Sequence, residues 1–162
     1  MKKALFTMVM LCLMATTTYA QQAKGEMAAK VHTGMTLEAG ALQGIVGFEY
    51  RVAVADNWRI APNFNIGGGH GLKFLDLTVD AHYVFRAADS RFSFYPLAGV
   101  GFYHTWAKVA GFKVAANRIF ANVGIGGQYD LTDNIGITAE VKNAWMTDYN
   151  KGSFLVGCCY KF

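Results

Sequence analysis

The last ten residues, SFLVGCCYKF from Ser153 to Phe162, constrain this chain more than any other stretch. Phe154, Val156, Cys158, Tyr160 and Phe162 alternate with Ser153, Leu155, Gly157, Cys159 and Lys161, a set that is smaller or polar apart from the leucine. A period of two marks a strand whose two faces meet different surroundings. The chain stops on that strand, and an unpaired edge templates aggregation. Pairing it with the first strand closes a barrel, and the remaining sequence reads as the strands needed to get there.

The opening is of another kind. Lys2 and Lys3 precede an apolar run from Ala4 to Ala15, then Thr16 to Ala20. A charged start, a short apolar core and a small-residue ending make a secretory signal peptide, residues 1–20, cut after Ala20. The run is too short to span a bilayer comfortably, and Cys12 has no convincing lipobox before it. The mature domain is then 21–162. Without Lys2 and Lys3 the 15 basic residues fall to 13 against 11 acidic, and the net charge falls from +4 to +2. No basic run with interleaved aromatics points to nucleic acid. Cys158 and Cys159 are neighbours on a strand, so they face opposite ways and should not pair with each other.

Apolar residues make up 53% of the chain and charged residues 16%, against about 25% charged in ordinary soluble domains. No apolar run after residue 20 is long enough for a membrane helix. A secreted chain this apolar, with no helix to insert, has the composition of a membrane β-barrel.

Alternation divides the rest into strands. The first covers Glu26 to Met35, with a segment from Thr36 to Leu42 after it. Gln43–Val54, Trp58–Gly67, Lys73–Arg86, Arg91–Thr105, Asn117–Tyr129, Ile135–Thr147 and Ser153–Phe162 complete a count of eight. Tight Asp/Asn turns follow the second, fourth and sixth strands. The other connections carry Gly, His and Lys, and the longest is expected over Trp106–Ala116, with a hairpin turn at Ala110-Gly111. Short turns on one rim and longer loops on the other is the asymmetry of an outer-membrane barrel. The expected fold is all-β, an eight-stranded antiparallel up-and-down transmembrane barrel.

Alternation alone does not say which face is inside, since a soluble lipocalin-like barrel has the same count and the opposite sense. Three observations favour lipid outside. The apolar face is bulky and the polar face collects glycines such as Gly34, Gly47, Gly99 and Gly124, and an eight-stranded barrel is narrow within. The polar face carries both signs: Lys30, Arg51, Arg59, Arg86, Arg118 and Lys142 with Glu49, Asp76, Asp80 and Glu140. Buried ions are costly unless paired, so these ten are expected as a lumen ionic network. Outward aromatics fall near strand ends, with Trp58, Phe85, Phe92, Tyr129, Tyr160 and Phe162 towards one rim and Phe64, Trp145 and Phe154 towards the other, like interfacial girdles.

The signal peptide, the eight strands, segments such as FSFYPLAGVGFYHTW and FANVGIGGQYDLTDNIGI, and the terminal YKF resemble the outer-membrane β-barrel family of the OmpA transmembrane domain, OmpX and opacity-type proteins. The resemblance spans the whole mature chain. It implies an integral protein in the outer membrane of a diderm bacterium, and Tyr160 and Phe162 match the C-terminal signal read by the barrel assembly machinery. No peptidoglycan-binding domain of the OmpA kind is expected.

Other candidates carry less. In GGGHG, Gly67 to Gly71, a strand rather than a helix follows, so His70 reads as part of an external loop and not of a phosphate cradle. His32 and His82 share the inner face with Asp76 and Asp80 and read as hydrogen-bonding residues, with a metal site as the alternative. Eight-stranded lipid A-modifying enzymes carry a His/Ser/acid set on the lipid face. His104 has the depth, but strand five gives it no serine or acid, and Ser153 lies across the barrel. Lys108 and Lys113 flank the expected long loop and read as part of a solvated hairpin, with contact to lipopolysaccharide phosphates as the alternative. Glu140 and Lys142, with Arg51, Glu49 and Arg118, are the expected centre of an ionic plug. The expected role is structural or surface-interactive in the cell envelope, with no catalysis, cofactor or metal and no nucleic acid. Outer-membrane lipid and lipopolysaccharide are the expected surroundings of a monomer. The alternative is a narrow porin-like channel for ions or small solutes.

Overall fold

The computed structural model describes residues 24–162 apart from 70, 87, 88, 110 and 111. The signal peptide and His70 therefore lie outside the described residues. Eight antiparallel strands are formed: β1 Met27–Glu38, β2 Ala41–Ala55, β3 Trp58–Gly69, β4 Leu72–Tyr83, β5 Phe92–Val109, β6 Phe112–Asp130, β7 Ile135–Trp145 and β8 Asn150–Lys161. After Val84, β4 continues as Phe85–Arg86 against the start of β5. Each strand pairs with its neighbours in sequence, and β8 pairs with β1 from Ala28↔Lys161 to Glu38↔Lys151, which closes the barrel. The edge problem posed by the last strand is solved by the first.

The faces fall as the side-chain sizes require. Outward positions leave Val31, Val100 and Ile119 60%, 63% and 79% exposed, while Lys30, Glu49 and Glu140 inside are at most 1% exposed. That is an inverted soluble protein, stable only where hydrocarbon covers the outside.

Inward glycines make the inner wall thin where long side chains cross it. Gly126 is the register partner of both Tyr95 and Glu140. A Cβ there would lie 2.3 Å from the Tyr95 ring. Gly126→Ala should therefore destabilise the barrel by about 1–3 kcal/mol through overpacking, read as a lower urea midpoint for refolded protein in detergent.

The rim where β1 begins and β8 ends (the chain-end rim) turns at Asp56-Asn57 and 131–134. The opposite rim is tighter than expected. Ala39 and Gly40 take left-handed φ values of 46° and 82°, the geometry of a two-residue hairpin. The segment after the first strand is thus strand and turn. Gly67–Gly69 of GGGHG belong to β3 rather than to a loop, and β8 begins at Asn150 rather than Ser153. The long connection expected over Trp106–Ala116 is mostly strand, a hairpin ladder from Trp106↔Ala115 to Val109↔Phe112, and its expected turn at Ala110-Gly111 lies outside the described residues. Trp106 and Ala107 there are still paired with Lys73 and Leu72 of β4, and only the tip of the ladder extends past that strand. The β6–β7 ladder begins only at Ala121↔Trp145, so the β5–β6 hairpin projects from this rim with Phe112–Phe120 unpaired on its β7 side among the described residues.

Candidate functional site: the filled lumen

The barrel interior is organised in layers, and the central one is ionic. Lys30 on β1, Glu49 and Arg51 on β2, and Glu140 and Lys142 on β7 reach the axis because they share the inner parity of their strands. Lys30 Nζ lies 2.9 Å from Glu49 and 2.6 Å from Glu140. Arg51 donates from Nε to Glu49 and from Nη2 to Glu140, the latter at 2.8 Å. The Tyr95 hydroxyl donates to the same Glu140 oxygen at 2.7 Å. Lys142 bridges Glu140 and Asp80 at 3.3 and 2.7 Å, and Asp80 also accepts from Asn63 and Asn122. Every carboxylate in this layer meets at least one cation, the condition under which buried charge is tolerated.

Arg59 enters differently. Its Nε donates to His82 Nδ1 at 2.9 Å, and its guanidinium lies 4.2 Å from the Tyr95 ring centroid. His82 stacks on that ring at 5.0 Å. Among the described residues no carboxylate pairs with Arg59, and the aromatic face takes that place. Nearer the chain ends, Asp130 accepts from Arg86 at 2.8 Å and from Lys161 at 2.7 Å.

Towards the opposite rim the filling turns aromatic. Phe74, Tyr103 and Phe120 pack with Ile45, Leu155 and Met146. Lys151 pairs with Asp76 at 2.5 Å and places its ammonium 4.2 Å from the Tyr103 ring. Above it Glu38 accepts from the hydroxyls of Tyr103 and Tyr149, the second at 2.5 Å. Burial, then the bond to Glu38, holds the Tyr149 phenol above its usual range, so it stays a donor in alkaline solution. A cavity of only about 20 Å³ separates the two layers, lined by Asp76, Asn122, Lys142 and Lys151 among others, room for about one water.

Of the ten expected network residues, the structure joins Lys30, Glu49, Arg51, Asp80, Glu140 and Lys142. Arg59 sits beside them through His82 and Tyr95. Asp76 and Arg86 bind partners in separate layers. Arg118 does not enter the central plug: it lies towards the far rim, 3.6 Å from Asp148 and over the Tyr149 ring at 5.2 Å. Glu38, Asp130, Lys151 and Lys161 escaped the expected set, though each keeps the inner parity of its strand. His32 hydrogen-bonds Asn65 at 2.6 Å, and no group of three metal-ligating side chains occurs among the described residues. His104 Nδ1 lies 2.5 Å from Asn117 Oδ1, outside the barrel. Tyr160 and Phe162 lie outward at the chain-end rim, half and 70% exposed.

A sequence family described as "Outer membrane protein beta-barrel domain" matches residues 6–162. The chain belongs to that family. Among solved structures, this outer membrane barrel is similar to the N-terminal β-barrel of Pseudomonas aeruginosa OprF, with a TM-score of 0.75 and 15% identity over 87% of this chain and 100% of that one. It is also similar to Ail, the attachment invasion locus protein of Yersinia pestis, with a TM-score of 0.66 and 22% identity over 86% and 100% of the two chains. Neisserial surface protein A gives 0.65 and 16% over 85% and 96%. At such identities the likeness is one of fold. No curated protein matches the chain by sequence.

Proposed function

We propose that this is a closed, non-conducting barrel of the bacterial outer membrane, whose role is structural and at the cell surface. The observation that carries this reading is the lumen, filled by one connected ionic layer and one aromatic layer. Eight strands leave an interior that side chains can fill completely. The projecting β5–β6 hairpin supports the surface part. Connection length does not orient the barrel, since turns on both rims are short. We orient it with the hairpin outside and the chain-end rim in the periplasm because Tyr160 and Phe162, at that rim, match the C-terminal assembly signal of such barrels. The unpaired backbone of Phe112–Phe120 can accept an extended partner strand, and one fold neighbour, Ail, is itself an attachment protein by name. The outward Tyr160 and Phe162 suit recognition by the assembly machinery, lipid and lipopolysaccharide surround a monomer, and we assign no catalysis to the barrel.

The alternative is a narrow channel. Refolded protein added to a planar lipid bilayer should give no discrete conductance steps across the ordinary voltage range. Steady single-channel steps from the unaltered protein would favour the channel and refute the sealed barrel.

A further inference from the structure

We propose that a groove on the lipid-facing wall, floored by Gly44 and Gly68, holds an acyl chain of an outer-leaflet glycolipid whose phosphate rests on Lys73. This rests on the membrane placement and orientation given above. The groove has a volume of about 710 Å³, within the range of ligand-holding clefts.

Its shape follows from the strand register. Gly44, Gly68, Lys73 and Trp106 are successive register partners on β2, β3, β4 and β5. At this one depth, two adjacent strands present bare backbone, and the next two present a cation and an indole. The row below, towards the chain-end rim, is Val46, Ile66, Leu75 and His104. Val46 and Ile66 are 51% and 45% exposed there. A gap opening onto aliphatic wall suits a hydrocarbon chain lying along the barrel.

Charge selects among the lipids. Lys73 is exposed and makes no ion pair among the described residues. A tryptophan beside it is what the membrane–water boundary favours, where a lysine attracts anionic headgroups. Of three other outer hollows, those of about 390 and 520 Å³ have no charged residue in their lining, and in that of about 610 Å³ Arg118 is paired with Asp148. The row lies on the side of the projecting hairpin, hence in the outer leaflet, where the anionic phosphates are those of the glycolipid. The triple glycine of β3 thereby gains a use beyond giving Phe74 room.

Gly44 offers a clean test, because a Cβ there would meet nothing closer than the Gly68 carbonyl oxygen at 4.0 Å. In a Trp58→Phe, Trp145→Phe background, Trp106 fluorescence reports on the groove while lipid A is titrated into refolded protein in detergent. The response should saturate. Gly44→Leu, and separately Ile66→Phe, should raise the half-saturating concentration about tenfold. Lys73→Gln should raise it about fivefold, the worth of one lysine at an anionic surface, and phosphatidylcholine should not saturate. Titrations left unchanged by both blocking variants, or matched by phosphatidylcholine, would overturn the groove. A starting protein without heat-modifiable gel mobility would instead overturn the barrel reading beneath it.

Discussion

Glu140→Ala should cost the folded barrel about 3–5 kcal/mol, the range for breaking a buried ion pair from one side. One Glu140 oxygen is shared by Lys30, Arg51 and the Tyr95 hydroxyl at 2.6 to 2.8 Å, and the other faces Lys142 at 3.3 Å. Removing the carboxylate leaves Lys30, Arg51 and Lys142 with only Glu49 and Asp80 between them, in a layer almost without solvent. The urea midpoint of the refolded protein should fall accordingly. Glu140→Gln should lie between the two, because an amide oxygen still accepts hydrogen bonds but brings no charge. Lys30→Met paired with Glu140→Leu should recover part of the loss, since apolar residues of similar volume carry no desolvation penalty. An alanine variant as stable as its parent would mean the layer is wet enough to screen its own charges, and a sealed lumen would no longer follow.

The fold was legible because a membrane barrel writes its rule twice in each strand. Parity puts Phe48 and Val46 outside and Glu49 and Arg51 inside, whatever residue opens or ends the strand. Where strands end was much less legible. Trp106–Ala116 looked like the longest connection because Gly and Lys break its apolar rhythm, yet β5 stays paired with β4 to Ala107 and with β6 to Val109. The same cause hid Lys151 and Glu38. Both sat in stretches read as connections, while parity with Leu155 and with Thr36 would have placed them inside. Pairing was the least legible of all. Arg118 has the right parity, but Asp148 lies within its reach at the rim and the network does not. Asp76 went to Lys151 for the same reason of depth. Parity gives the face and register gives the depth, and register depends on turns that this sequence disguises.

Two layers in series imply that opening the lumen takes two sets of changes. Arg51→Ala with Glu140→Ala would empty the middle of the ionic layer, but Phe74, Tyr103 and Phe120 still close the passage beyond it. Tyr103→Ala with Phe120→Ala would thin the aromatic layer, but the shared carboxylates of Glu49 and Glu140 still span the axis. Either pair alone should leave a planar bilayer as quiet as the unaltered protein does. All four together should give discrete conductance steps, provided heat-modifiable mobility shows the variant still folds. The opened ionic layer would keep Lys30, Arg59 and Lys142 against Glu49 and Asp80, a net charge of +1, so the steps should favour anions, more strongly at low salt where screening is weak. Conductance from the ionic pair alone would make the aromatics mere filler and place the whole seal in the charges. Conductance from the aromatic pair alone would place it at the far rim, where Lys151, Asp76 and the Glu38 cap would then need to be the gate.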